Sequence, residues 1–311
     1  MNSVVVRAGA GCCNAFRGHA GRRHVGAGAG PGRAGGTTPC PRAETHCSGR
    51  SPPRWRWPGL AAAAALKIGV TPGSLADSVE VAAKEARAPG GWTCRSSSSP
   101  TGPRPNTALA AGDIDLNYFQ HQAFLDNAIR ERGYAFTSVA TGLLPNIGLY
   151  SLKTQRFADL KEGARVGVAN DPVNQGRGLL LLEKAGLIQL REGKGPRAGL
   201  DDIVSNPRKL RFVEIEGPQL VRALDDVDLA QGYPAHFVNA GRPQVAGNAL
   251  LYSGIDDLYY AIRFVSRQDN ARDPRIAQFV RIYQTSGAVQ AQIHKSFAAN
   301  DRLYSLPWRK P

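Results

Sequence analysis

The chain has 311 residues, 42% of them hydrophobic, and a formal charge of +14. That length suits two α/β lobes, and the charge taken alone points to nucleic acid or an anionic surface. Its distribution excludes that reading, because nine arginines fall in residues 1–66 against the single acid Glu44, and Arg95 and Arg104 add to the excess. Elsewhere bases and acids nearly balance, as on an ordinary globular surface, so no nucleic-acid partner is expected.

Cys12, Cys13, Cys40, Cys47 and Cys94 lie in the same two basic stretches. They repeat no paired zinc spacing and are odd in number, so neither a metal site nor a closed disulfide framework is expected. No window holds 18 consecutive apolar residues, which predicts no membrane span. An intact signal peptide is also not expected. The run Gly59–Leu66 (GLAAAAAL) reads as a worn remnant of an apolar signal core, and Met1 is followed by Gly, Arg, Ala and Pro in disorder-like proportions. Residues 1–65, rich in Gly, Pro and Arg, are expected to be a disordered or out-of-frame segment.

Patterned sequence begins at Leu66. Leu66–Thr71 (LKIGVT) reads as a buried strand ended by Pro72-Gly73, and Ser74 opens a helix to about Ala88. The next strand is due at 89–104, but the text GGWTCRSSSSPTGPR cannot form one. An out-of-frame reading accounts for it. Gly91-Trp92-Thr93 can be written GGC TGG ACG, and dropping two bases then permits L-D-V-Q-V-I-E-F-S-D-W-T-T, which alternates like a strand. As written, 89–104 is expected to be an aberrant loop.

Pattern resumes at Asn106. A short helix (TALAAGD) leads to a strand at Ile114–Phe119 and a helix at Gln122–Arg132. Strands are expected at Tyr134–Ala140, Ile147–Ser151 and Arg165–Ala169. Asp171 then caps a helix with Pro172 at its first position, and Gly186 closes it. Leu210–Ile215 is a strand, Gly217-Pro218 opens a helix, and Asp228–Ala230 leads into another strand. Strands at Ala249–Tyr252 and Tyr259–Val265 precede two helices at about 273–285 and 287–298. Strands alternate with helices throughout, so the class is α/β with mostly parallel sheets.

Arg177 is the leading candidate for ligand binding. In Asn170-Asp171-Pro172-Val173-Asn174-Gln175-Gly176-Arg177 the polar groups gather over one helix start, where free N–H groups favour an anion. A guanidinium there can grip a carboxylate with two parallel hydrogen bonds. Phe119 and His121 follow a strand at its C-terminal end, where open α/β sheets bind ligands. Two residues apart, they share a face if the strand continues. A single histidine near a strand end also has a structural reading. No G-x-S-x-G, phosphate loop, G-x-G-x-x-G or H-E-x-x-H is present, so no catalytic group, cofactor or metal is expected.

Four stretches in order carry a resemblance: LKIGVTPG, PNTALAAGDIDLNYFQHQAFLDN, VANDPVNQGRGLLLLEKAGLIQL and DDIVSNPRKLRFVEIEGPQLVRALDDVDLA. Together they resemble the methionine-binding lipoproteins, periplasmic solute-binding components of ABC importers. The resemblance implies a periplasmic-binding-protein fold of type II, with two lobes joined by strand crossovers. Lobe 1 is expected at 66–151 and 249–311, and lobe 2 at 152–248. It implies a free amino acid, methionine or a related one, as ligand, and the ABC permease with its ATPase as partners. It further implies a monomer in the periplasm or anchored at the membrane. By the same resemblance Arg177 holds the ligand carboxylate, and Asn174, Asn117, Phe119, His121 and Tyr233 join it. Tyr233 stands in Ala230-Gln231-Gly232-Tyr233-Pro234, where methionine binders have an Asn. Two alternatives stay open: an enzyme on the same bilobed fold, and a non-functional product of a frameshifted gene.

Overall fold

The computed structural model describes residues 65–86 and 105–309. The expectations for 1–64 and for 89–104 lie outside the described residues. The first elements are β1 (Ile68–Val70), α1 (Ser74–Ala86), α2 (Pro105–Ala110), β2 (Leu116–His121), α3 (Gln122–Arg132), β3 (Phe136–Thr141), β4 (Leu144–Pro145) and β5 (Gly148–Tyr150). Next come β6 (Arg165–Ala169), α4 (Pro172–Lys184), β7 (Gln189–Leu190), β8 (Ile203–Ser205), β9 (Arg211–Ile215), α5 (Leu220–Ala223), β10 (Leu229–Gly232), α6 (Pro234–Asn239) and α7 (Pro243–Ala246). The chain closes with β11 (Leu251–Tyr252), β12 (Ile262–Arg267), α8 (Pro274–Thr285), α9 (Gly287–Ser296) and β13 (Tyr304–Ser305).

Local chemistry sets the helix starts nearest the site. The Asp171 carboxylate accepts the Asn174 N–H at 2.9 Å while Pro172 fills the first position of α4. At α3 the cap is unusual, since His121 Nδ1 accepts the Phe124 N–H at 3.1 Å. Gly133, at φ 65°, closes α3 in the left-handed region that glycine enters without steric penalty.

Two sheets organise these elements. One runs β1-β2-β12-β3 and the other β11-β5-β10-β6-β9. The sheets are mixed rather than mostly parallel. β1 and β2 are parallel, as are β6 with β9 and β10, but β12 is antiparallel to both its neighbours and β5 is antiparallel to β10 and β11. The antiparallel strands are the ones on either side of the passage between sheets. The passage also falls inside the expected lobe limits. β5 and β11, expected with the first lobe, pair in the five-stranded sheet. Two further elements are shorter than their sequence patterns suggest. The Asp257 carboxylate accepts the Tyr259 N–H and winds residues 258–260 into a 3-10 turn, so β12 starts only at Ile262. Gly217-Pro218 likewise gives a 3-10 turn before the single turn of α5.

Burial follows this plan. Leu66, Ile68 and Val70 are buried with the apolar face of α1 and with Phe264, Phe279 and Tyr283. Val166, Val168, Leu179, Leu181 and Leu182 form a second core around β6 and α4. Inside the first core, hydroxyls run in a chain. Tyr118 accepts the Leu143 N–H at 3.0 Å, Tyr283 lies 3.0 Å from Tyr118, and Ser78 lies 3.0 Å from Tyr283. Leu143 belongs to the segment leading toward the second sheet, so this chain fixes its departure point. No described helix is long and apolar enough to cross a membrane.

Candidate functional site

Arg177 lies on the second turn of α4 and is only 4% exposed. Its Nη1 donates to the Tyr233 hydroxyl at 3.2 Å, and its Nη2 donates to the Pro145 carbonyl at 3.2 Å and the Ser253 hydroxyl at 3.3 Å. The guanidinium carbon stands 4.2 Å from the Tyr260 ring centroid and 5.6 Å from that of Tyr233. Two aromatic faces therefore hold the cation, an arrangement that gains strength when desolvated. Among the described residues no carboxylate lies within ion-pair distance of Arg177.

Asn174, one turn earlier on α4, links the remaining groups. Its Oδ1 accepts from the Tyr233 hydroxyl at 2.7 Å and lies 3.3 Å from His121 Nε2. Its Nδ2 donates to both Asp171 oxygens, at 2.9 and 3.1 Å. The Gln231 side chain donates to the Asn174 carbonyl at 3.0 Å. Because His121 Nδ1 already accepts a backbone N–H, its proton is assigned to Nε2, which donates to Asn174. Asp171 therefore orients Asn174, and Asn174 orients Tyr233 and His121.

Arg177 supplies the cation of the cage, and the Asp171 carboxylate lies behind Asn174. Burial, with the nearby Arg177 cation adding to it, lowers the His121 pKa to about 3, so the imidazole is neutral. Burial raises Tyr233 above the usual phenol value, and Arg177 opposes this. Tyr260 is pushed up to about 12 by the same cause. The cage is thus a neutral aromatic and amide shell around one guanidinium. Among the described residues no group of three His, Cys, Asp or Glu is placed to hold a metal ion.

The structure brings four of the six sequence candidates together: Arg177, Asn174, His121 and Tyr233. Asn117 stands apart. It is buried in an amide cluster, donating to Asn106 at 2.9 Å and accepting from Gln120 at 3.2 Å, so its polar atoms are engaged within the first sheet. Phe119 is half-buried and meets Phe124 edge-on at 6.0 Å, one ring removed from His121. Sequence reading missed Tyr260, Ser253 and the Pro145 carbonyl. The Tyr259-Tyr260 pair ahead of an apolar run was a usable signal, whereas a backbone carbonyl carries none. A separate groove of about 400 Å³ runs between α1, α6 and α9, past Asp77, Lys84, Asn239 and Lys295, and no cage residue lines it.

A family model described as NlpA lipoprotein matches residues 66–303. The D-methionine-binding lipoprotein MetQ of Salmonella typhimurium is 38% identical over 230 residues, which is 73% of this chain and 83% of the relative. This chain belongs to the NlpA lipoprotein family. Solved structures extend the likeness from sequence to fold. A nutrient-binding protein from Burkholderia cenocepacia bound to methionine superposes with a TM-score of 0.70 at 34% identity, covering 75% of this chain and 97% of that one. The methionine-binding protein MetQ gives 0.69 at 34% identity, covering 79% and 98%. The NlpA match starts at Leu66, where patterned sequence begins, and takes in both sheets and every cage residue.

Proposed function

We propose that this chain binds a free amino acid, methionine or a related one, between two lobes and delivers it to an ABC importer. One observation carries the reading: Arg177 is a buried guanidinium with no carboxylate partner among the described residues, held by the Tyr260 ring just before β12 and the Tyr233 hydroxyl just after β10. A buried cation without a counter-ion is costly unless something anionic meets it. An amino-acid carboxylate has the charge and the two oxygens that a guanidinium takes. The names of the relatives and of the methionine-bound neighbour point to the same ligand class.

In this reading the lobes follow the sheets, β1 to β4 with β12 in one and β5 to β11 in the other. They close by a hinge at the two connecting segments, and the closed form engages a permease with its ATPase. The protein works as a monomer, in the periplasm or anchored at the membrane. Arg177 takes the carboxylate, and His121 and Tyr233 wall the side chain. Calorimetry of the full chain with D- and L-methionine, followed by the other amino acids, tests the proposal. Saturable heat with at least one supports it, and none with any of them rejects it.

A further inference from the structure

Two donors in the cage have no acceptor among the described residues. They are Nε of Arg177 and the hydroxyl of Tyr260, and both atoms are buried. Buried polar groups are nearly always paired, so two orphans on stacked side chains call for an explanation. The Tyr260 ring is 5% exposed, lies against the guanidinium, and meets His121 edge-on at 5.3 Å.

No hydrogen bond joins the Tyr260 hydroxyl to any described neighbour, and the polar atoms around the guanidinium are engaged with one another. His121 Nδ1 is used by the Phe124 N–H and its Nε2 faces Asn174. Asn174 Oδ1 already accepts from Tyr233, and the Pro145 carbonyl and Ser253 hydroxyl accept from Arg177. Burial keeps the phenol protonated at neutral pH. A group that satisfies both orphans must therefore accept hydrogen bonds and tolerate a guanidinium beside it. A carboxylate does both. An ammonium does neither, because it brings only donors and a like charge.

We infer that Tyr260 is a ligand-contacting residue whose hydroxyl, together with Nε of Arg177, holds the carboxylate of the bound amino acid. The inference rests on the amino-acid reading above and adds a second donor at that end of the ligand. Its ring keeps the guanidinium plane in place, so the hydroxyl is the part that reads the ligand. The deaminated acid should keep this contact, and the decarboxylated amine should lack it.

The test compares the full chain with Tyr260→Phe, which keeps the ring and removes only the hydroxyl. The probes are D- and L-methionine, 4-(methylthio)butanoate and 3-(methylthio)propylamine, with the unliganded melting temperature measured beside them. Tyr260→Phe is expected to weaken methionine and the butanoate by the same factor, about tenfold or more, as for a hydrogen bond to a charged group. The amine is expected to bind neither protein. The unliganded melting temperature should hold or rise, since an unpaired buried hydroxyl has been removed. Unchanged methionine affinity in Tyr260→Phe overturns the inference and leaves the amino-acid reading standing. So does a fall of several degrees in the unliganded melting temperature, which would mark a structural hydroxyl, or binding of the amine as tight as that of the butanoate. A wild type that takes neither methionine enantiomer defeats the methionine reading and this inference with it.

Discussion

His121 Nε2 and Asn174 Oδ1 stand 3.3 Å apart, joining the end of β2 to the first turn of α4. The contact ties the four-stranded sheet to the five-stranded one. His121 also caps α3, because its other ring nitrogen accepts the Phe124 N–H. A single neutral imidazole thus serves a helix start and a contact between sheets.

Arg177→Ala should weaken amino-acid binding by about 2–4 kcal/mol, since a charge partner is lost from a desolvated site. Arg177→Lys should recover only part of that, because an ammonium cannot reproduce the planar fork that reaches Tyr233, Pro145 and Ser253. Calorimetry on both variants measures it. Wild-type affinity in Arg177→Ala would take the residue out of the site.

Acid should destabilise the protein before its carboxylates titrate. The folded pKa of His121 is about 3 and that of His236 about 4, both below the ordinary 6.5 and both lowered chiefly by burial. Between those values the unfolded chain takes up protons that the folded chain refuses, so stability is full above pH 6.5 and falls as pH drops toward 3–4. Every tenfold loss of proton affinity on folding corresponds to about 1.4 kcal/mol, so the two rings together bring the decline to several kcal/mol. Urea midpoints at pH 7.5, 5.5 and 4.5 should decline steadily, and His236→Phe should flatten part of the decline. Equal midpoints would contradict the burial of these rings.

Gly176→Ala should cost about 1–3 kcal/mol or more. A Cβ at this position would lie 2.3 Å from the Pro196 carbonyl oxygen, a backbone atom that cannot swing aside. At Gly287, the first residue of α9, nothing lies within 4 Å of an added Cβ. Gly287→Ala should therefore be neutral or stabilising by about 0.4–1 kcal/mol. Thermal and urea unfolding of the two variants should shift in opposite directions, or only the first should move.

Among the described residues β1 pairs only with β2 and stands at the end of the four-stranded sheet. An open edge invites association between chains. Replacing the text of 91–104 with L-D-V-Q-V-I-E-F-S-D-W-T-T should raise soluble yield, melting temperature and ligand affinity together. Equal values for the two chains, expressed side by side, would defeat the out-of-frame reading.

Much of this protein was legible locally. Asp171-Pro172 and the closing Gly186 announced α4, and the apolar runs at Arg165–Ala169 and Arg211–Ile215 matched strands to within a residue, because caps and side-chain periodicity act over a few positions. Arg177 and Asn174 could be singled out for the same reason, since they share one helix start. Strand direction could not be read this way. β12 reaches its place antiparallel to β2 after more than a hundred intervening residues, and nothing in its own sequence states which neighbour it will take. The cage was likewise assembled only in three dimensions. The Pro145 carbonyl, Ser253, Tyr233 and Tyr260 come from four separate segments, and a buried guanidinium selects them by distance and desolvation rather than by spacing along the chain. Asn117 shows the converse, a polar residue in a family motif whose amide is taken up by Asn106 and Gln120 once the first sheet has formed.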